Sequence, residues 1–166
     1  DETTLRAQMA ALIVRGMVWS GETPANPFTD QCGEDCIDGE LWTAIGVLAA
    51  KDVARGYTDG ATCAPAAAPC YDPRTAVSRA QVISFVTRAM VTKGYWTFAT
   101  TDGGVYGNVP GPFVERQGHR VDVVTYVENL GAIPEAGNPT GPFADYDQPA
   151  TRAWFALVLW QAIRDR

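Results

Sequence analysis

The stretch Ser-Arg-Ala-Gln-Val-Ile-Ser-Phe-Val-Thr-Arg-Ala-Met, residues 78–90, decides the fold, because the chain contains it three times in related form. The other copies are Leu-Arg-Ala-Gln-Met-Ala-Ala-Leu-Ile-Val-Arg-Gly-Met (5–17) and Thr-Arg-Ala-Trp-Phe-Ala-Leu-Val-Leu-Trp-Gln-Ala-Ile (151–163). Each copy has an arginine at its second position, and Arg6, Arg79 and Arg152 are separated by 73 positions in both intervals. Apolar residues recur three and four positions apart in each copy, so the sequence predicts three amphipathic helices.

Hydroxyl side chains stand at or next to the start of each predicted helix, and we expect them to act as N-caps. They are Thr4, Ser78 and Thr151. A second helical pattern lies between the copies, at 42–53 and again at 123–133, and Gly or Pro ends it both times. The repeating unit is therefore loop, helix, loop, capped helix.

The chain holds two and a half of these units within one domain, 1–166. A half unit with only the capped helix spans 1–27, a full unit with cysteine-bounded loops spans 28–112, and a second full unit spans 113–166. The turn-rich stretch 100–112 predicts a loop or short hairpin joining the copies. The expected fold class is mainly α with long Gly/Pro-rich loops.

Composition narrows the classes of function. The 166 residues are 46% hydrophobic and 19% charged, with a formal net charge of −6, which excludes a disordered chain. Scattered cations on an acidic chain make nucleic acid a poor partner. The sequence contains no run of about 20 apolar residues, so no membrane span is predicted. The first residues lack the basic and apolar parts of a signal peptide, so we expect any such signal to have been removed.

Four cysteines form two close pairs, Cys32/Cys36 and Cys63/Cys70, both in loop-like sequence. A zinc site would favour two C-x2-C pairs, whereas the spacings here are C-x3-C and C-x6-C. We expect each pair to form its own disulfide in an oxidising, extracytoplasmic setting, although other pairings and four buried free thiols remain alternatives.

These motifs resemble the S-layer homology family. Its members combine Phe-x-Asp, a first helix with Trp and Ala-Ile-x-x-Leu, Gly-Tyr-x-Asp-Gly, and Thr-Arg-Ala-Glu at the second helix. The first full copy has Phe28-Thr29-Asp30, Trp42 with Ala44-Ile45-Gly46-Val47-Leu48, Gly56-Tyr57-Thr58-Asp59-Gly60 and Ser78-Arg79-Ala80-Gln81. The second copy is weaker, with Phe113-Val114-Glu115 and Thr151-Arg152-Ala153-Trp154. The resemblance covers nearly the whole chain.

The resemblance implies a trefoil of three helical lobes around a pseudo-threefold axis, without catalysis or a cofactor, at the surface of a bacterium. It also implies that grooves between lobes bind a pyruvylated wall polysaccharide. The implied contact residues are Arg6, Arg79 and Arg152, the loop residues Gly56, Asp59 and Gly60, and Trp42 as a stacking platform for a sugar. A guanidinium can hold a ketal carboxylate by two parallel hydrogen bonds, and a Gly-rich turn lets backbone amides approach a sugar.

Each of these residues also has a purely structural interpretation. Trp42 can belong to the core, because aromatic side chains bury much area. The arginines can tie lobes together through loop carbonyls or acidic partners. The chain also departs from the family pattern, since Gln8, Gln81 and Trp154 replace the motif glutamate and the 73-residue interval exceeds the usual repeat.

The half unit suggests a different function, because a repeat cannot bury its apolar face alone. The helix at 4–18 must be covered either by the two complete copies or by another chain, and contacts of the second kind build rings or filaments. The aromatic residues Tyr95, Trp96, Phe98 and Tyr106 also favour a contact surface for another chain, because aromatic residues are enriched in interfaces. The sequence therefore predicts a self-assembling extracellular subunit whose partners are copies of itself. A wall-polysaccharide anchor is the alternative, and an accessory module of a secreted enzyme is a third possibility.

Catalytic and metal sites find little support in the sequence. His119 is the only histidine and has no evident partner, so we expect a packing or capping role. An acidic loop offers oxygen ligands for Ca²⁺ but lacks EF-hand spacing, so a solvated loop is the preferred interpretation. Its members are Asp30, Glu34, Asp35, Asp38 and Glu40.

Overall fold

The fold is that of a computed structural model, and it describes residues 2–31, 36–99, 120–130 and 148–164. Within these ranges the chain is mainly helical, in agreement with the expected class. The helices are α1 (Arg6–Gly16), α2 (Gly39–Ala50), α3 (Gly60–Cys63), α4 (Arg79–Thr92), α5 (Arg120–Leu130) and α6 (Arg152–Arg164). The hairpin expected at 100–112 and the site of His119 lie outside the described residues.

The three capped-helix predictions are confirmed as α1, α4 and α6, and the second pattern is confirmed as α2 and α5. At α4 the Ser78 hydroxyl accepts a hydrogen bond from the Gln81 backbone (3.3 Å), and the Gln81 amide oxygen accepts one from the Ser78 backbone (3.1 Å). Ser78 and Gln81 thus form a reciprocal capping box at the start of α4. The expectation that Thr4 caps α1 is wrong, because Leu5 occupies the N-cap position.

The chain divides into two compact units. The N-terminal unit is Leu5–Ala76, and the C-terminal unit consists of Asp1–Thr4 with Val77–Arg166. In the N-terminal unit α1 packs along α2. Most of the apolar residues of α1, including Met9 and Ile13, are buried there. Burial of each such large side chain favours folding by roughly 1.5–3 kcal/mol. Most of the apolar stripe of α1 is thus covered within the chain itself.

In the C-terminal unit α4 packs against both α5 and α6. Its core includes Ile83 and Met90 of α4, Tyr126 of α5 and Phe155 of α6, all fully buried. The Tyr126 hydroxyl donates a hydrogen bond to the Val158 carbonyl (3.1 Å), which ties α5 to α6. The helices of this unit are thus held by an apolar core that contains a buried polar link between α5 and α6.

Three backbone hydrogen bonds form a closed ring in the C-terminal unit. The N–H of Thr4 donates to Ala150 (2.8 Å), that of Ala150 to Val77 (2.8 Å), and that of Val77 to Thr4 (2.9 Å). These three residues are completely buried and, like the motif arginines, stand 73 positions apart. Each ring residue therefore donates one backbone hydrogen bond and accepts one, so every backbone N–H and C=O group of these three residues is paired.

The residues flanking the ring repeat the same interval. At each of three helix starts, the residue before the motif arginine forms an isolated antiparallel bridge with a segment distant in sequence. The bridges are Leu5 with Ala76 in the N-terminal unit, and Ser78 with Pro149 and Thr151 with Thr3 in the C-terminal unit. The start of every capped helix is thus fixed by the same backbone pairing.

The disulfide expected between Cys63 and Cys70 is confirmed. Cys36 is disulfide-bonded too, and its expected partner, Cys32, lies outside the described residues. In the described part of the chain no cysteine is free. Nor is any helix there long and apolar enough to cross a membrane.

Candidate functional site

Arg6, the first residue of α1, is buried within the N-terminal unit, with only 4% of its surface exposed. Its guanidinium carbon lies 5.0 Å from the ring centre of Tyr57 and 4.7 Å from that of Tyr71. Its Nε donates a hydrogen bond to the carbonyl oxygen of Tyr71 (2.9 Å). Two aromatic rings and a loop carbonyl thus surround the group expected to hold a ligand carboxylate.

Tyr71 fixes this cluster from the other side, because its hydroxyl donates to the carbonyl oxygen of Arg6 (3.2 Å). Burial raises the pKa of Tyr71 from 10.0 to about 12, and the positive charge of Arg6 opposes part of that rise. Since the folded pKa lies above the unfolded one, the stability linked to this tyrosine is complete below pH 10.0 and is lost as the pH rises toward 12.

The Phe28-Thr29-Asp30 motif builds the loop that carries Tyr71. The Asp30 carboxylate accepts hydrogen bonds from the backbone N–H of Tyr71 (2.9 and 3.0 Å) and of Asp72 (2.6 Å). The Phe28 ring lies 5.5 Å from that of Tyr71, centre to centre. This motif therefore holds Tyr71 against Arg6.

Gly56 is required by close packing. Its φ is +67°, and a Cβ on it would lie 2.3 Å from Cε1 of Phe28 and 2.5 Å from the carbonyl oxygen of Cys70. Tyr57 and Cys70 exchange two backbone hydrogen bonds beside it (2.7 and 3.1 Å). The side of Gly56 where a side chain would project is thus filled by protein, and a sugar cannot approach there.

Asp59 and Gly60 lie at the exposed start of α3. The Asp59 carboxylate caps this helix by accepting a hydrogen bond from the Thr62 backbone (2.7 Å). Hydrogen bonding to the Thr62 side chain, and then to its backbone, lowers the pKa of Asp59 below 3.8. No atom lies within 4 Å of a Cβ built on Gly60. Of the loop residues expected to contact a polymer, these two are open to solvent.

Trp42 lies half-buried in α2, and its carbonyl oxygen accepts a hydrogen bond from the Asn26 side chain (2.9 Å). The indole is thus neither a fully exposed stacking platform nor a fully buried core residue. Both interpretations of Trp42 remain compatible with this position.

Arg152, at the start of α6, is exposed. It forms an ion pair with Glu2, with 2.7 Å between Nη1 and Oε2, and more than half of each side chain is exposed. Exposed pairs of this kind contribute only about 0–1 kcal/mol, so a ligand carboxylate can displace Glu2 at small cost.

Arg79, at the start of α4, has a third environment. It is half-buried, and its guanidinium carbon lies 5.5 Å from the ring centre of Trp154. Its Nε is buried without a hydrogen-bond partner, in contrast to the Nε of Arg6. Trp154 occupies in the third copy the position that Gln81 has in the second, so this difference between the copies supplies the ring next to Arg79.

The structure thus brings Arg6 together with the 56–60 loop through Tyr57, and Arg79 together with Trp154. Sequence reasoning assigned no role to Tyr57, Tyr71 or Trp154 around the arginines. Tyr57 and Trp154 are part of the quoted motifs, so the available signal was the presence of an aromatic residue in each of these motifs.

The described residues of the acidic loop have protein partners. Asp30 holds the Tyr71 turn, Asp38 caps α2 by accepting from the Glu40 backbone (2.8 Å), and the Glu40 side chain pairs with Arg15. No group of three or more potential metal ligands occurs in ranges 2–31, 36–99, 120–130 and 148–164. Glu34 and Asp35 lie outside these ranges.

A cleft of about 290 Å³ adjoins the disulfide in the N-terminal unit, with Asp30, Asp72 and Arg74 among its lining residues. A second cleft of about 260 Å³ opens between α1 and α2 and is lined mainly by apolar atoms. None of the three motif arginines lines either cleft.

In comparisons with known proteins, the chain matches no family model, no curated protein and no solved structure. The resemblance to the S-layer homology family therefore rests on the quoted motifs alone.

Proposed function

We propose that this chain is a non-catalytic, extracellular module of a bacterial cell envelope, built from S-layer-homology-type repeats arranged as a pseudo-threefold trefoil. The recurrence of the 73-residue interval supports this arrangement, since it relates the motif arginines, the ring residues Thr4, Val77 and Ala150, and the bridge pairs. The Cys63–Cys70 disulfide supports the extracellular location, because disulfides persist in oxidising compartments.

Within that module, binding of an acidic wall polysaccharide is the function that the geometry supports best. The observation that carries it is the half-buried Arg79 guanidinium, which lies next to an aromatic ring while its buried Nε lacks a hydrogen-bond partner. Because its Nε is not held by a protein acceptor as that of Arg6 is, the half-buried guanidinium is less firmly committed to the protein, and its accessible part is left for a ligand carboxylate. A ketal carboxylate of a pyruvylated polymer fits a planar guanidinium by two parallel hydrogen bonds.

The three arginines are not equivalent in this proposal. Arg6 is satisfied by Tyr57 and Tyr71, so it serves the fold of the N-terminal unit. Arg152 is accessible but is paired with Glu2. We therefore infer that Arg79 is the principal polymer contact, with Arg152 secondary. Asp59, Gly60 and Trp42 remain candidates for the polymer-binding surface.

The test is co-sedimentation of Arg79→Met and Arg152→Met with purified, pyruvylated wall polymer. Loss of a charge-assisted contact is expected to weaken binding by about tenfold to a hundredfold for Arg79→Met, and clearly less for Arg152→Met. Circular dichroism checks that both variants fold, and polymer stripped of pyruvate tests the carboxylate. Equal binding by the parent and Arg79→Met, or no binding by the parent, would overturn this function.

Self-assembly into a surface layer or filament is the second candidate. The sequence predicts it partly from the α1 stripe, but α2 packs on that helix within the N-terminal unit. The observation that now favours it is the 40% exposure of both Tyr95 and Phe98. Trp96, by contrast, is buried against Tyr126.

Sedimentation velocity over a range of concentrations tests this candidate. Large assemblies of the parent that disappear in a Tyr95→Ser/Phe98→Ser double variant are the expected result. A parent that remains a monomer of 17.9 kDa at every concentration would exclude self-assembly.

A further inference from the structure

Helix α6 exposes an apolar face in the C-terminal unit. Leu157 and Trp160 lie one turn apart on this face, with 39% and 54% of their surface exposed. The guanidinium carbon of Arg164 lies 4.5 Å from the ring centre of Trp160, yet about half of the surface of Trp160 remains accessible.

The same positions of α1, 146 residues earlier, are covered. Ala11 and Val14 correspond to Leu157 and Trp160 in the repeat, and their exposures are 5% and 6%. Helix α2 packs on α1, and Arg15, the next residue of this face, pairs with Glu40 in the first turn of α2.

The corresponding face of α4 is covered in the same way. Ser84 and Thr87 have exposures of 1% and 0%, and the Thr87 hydroxyl donates to the backbone carbonyl of Asp122 in α5 (3.1 Å). Arg88, which corresponds to Arg15, pairs with the Asp122 side chain in the first turn of α5 (2.9 Å). Two of the three capped helices thus share one docking mode.

The path of the chain indicates where a third covering helix would come from. Helix α2 precedes Thr75, whose carbonyl accepts from the Arg6 N–H at the start of α1, and α5 precedes Gln148, which does the same for Arg79 of α4. At the start of α6 the acceptor for Arg152 is Glu2 (3.0 Å). The element that corresponds to α2 and α5 would therefore lie N-terminal to Glu2.

We propose that the Leu157–Trp160 face of α6 is a docking site for an amphipathic helix of the α2/α5 type, supplied in cis by the polypeptide upstream of residue 2. The repeat has Gln161 where α1 and α4 have Arg15 and Arg88. The docked helix therefore carries a neutral polar residue in its first turn, where α2 and α5 carry a carboxylate. This site is independent of polymer binding at Arg79.

A tethered helix tests the proposal, because a short helix is marginal alone and a linker raises its effective concentration to the millimolar range. A second copy of residues 38–53, with Glu40→Gln in that copy, is fused ahead of residue 1 through a flexible linker of about 20 residues. Hydrogen exchange of the α6 amides is compared with and without the fusion. We expect the fusion to slow exchange of the α6 amides at least about tenfold, because the docked helix makes local opening of α6 less favourable.

Leu157→Glu and Leu12→Glu form a matched pair, since both leucines are helical and 39% exposed. Leu157→Glu is expected to abolish the slowing and Leu12→Glu to preserve it, with unfused versions of both checked for folding by circular dichroism. Unchanged exchange in the fusion, or equal effects of the two substitutions, would refute the docking site. A dimer of the unfused chain that Leu157→Glu dissociates would identify a second copy as the occupant and also overturn the proposal.

Discussion

At the scale of single residues, one motif contains glycines with different physical roles. Gly56 has a positive φ, and both Phe28 and the Cys70 carbonyl lie where its side chain would be, whereas Gly60 starts α3 in open space. The motif Gly-Tyr-Thr-Asp-Gly predicts a turn at both positions. The difference depends on Phe28 and Cys70, which are distant in sequence, so local patterns cannot reveal it.

Gly56→Ala is expected to lower the free energy of unfolding by about 2 kcal/mol or more, because a left-handed alanine costs about 1–2 kcal/mol and the new methyl group also collides with protein atoms. Gly60→Ala is the control and should change it by less than about 0.5 kcal/mol. Urea unfolding measures both. Similar values for the two variants would contradict the assigned packing around Gly56.

The motif arginines likewise differ in their surroundings although their local sequence positions are equivalent. Arg6, Arg79 and Arg152 occupy identical positions in their copies, yet one is enclosed by tyrosines, one adjoins Trp154 and one pairs with Glu2. The sequence predicts their place at the helix starts. Their availability to a ligand depends on side chains from other segments.

At the scale of helices, the pairs α1/α2 and α4/α5 are each linked by an arginine–carboxylate ion pair, but the two ion pairs differ in burial. Arg15 of α1 pairs with Glu40 of α2 where both side chains are more than half exposed. Arg88 of α4 pairs with Asp122 of α5 where the exposures are 18% and 4%. Breaking a buried pair leaves an uncompensated charge, whereas an exposed one is replaced by water.

Asp122→Asn is expected to destabilise the chain by about 3 kcal/mol, because Arg88 loses its buried counter-charge. Glu40→Gln, which removes the exposed counterpart, should cost no more than about 1 kcal/mol. Thermal and urea unfolding of both variants provide the measurement. A larger cost for Glu40→Gln than for Asp122→Asn would refute the assigned difference in burial.

At the scale of the whole molecule, the Thr4–Val77–Ala150 ring joins three segments that are far apart in sequence. Every bond in it is a backbone bond, so side-chain chemistry does not encode it. Its sequence trace is the 73-residue interval, which predicts equivalent positions without saying that they meet. Closure of the ring requires the three chain segments to converge in a dry environment.

Ala150→Pro removes the N–H that donates to Val77 and leaves a buried acceptor unpaired, at a cost of about 1–3 kcal/mol or more. Ala150→Gly keeps that donor and should cost only about 1 kcal/mol, through backbone entropy. Differential scanning calorimetry compares the two melting temperatures. If the proline variant melts no lower than the glycine variant, the ring does not stabilise the fold.

Local patterns by themselves determined the helices and the repeat interval and favoured the Cys63–Cys70 pairing over its alternatives, because periodicity, capping and short loop closure act over a few residues. Tertiary structure alone decided which motif arginine is buried, why Gly56 must be glycine, and which helix face lacks a cover. These properties depend on atoms brought together from separate segments. Residues at equivalent positions of the repeat, such as the three motif arginines, can therefore have three different environments.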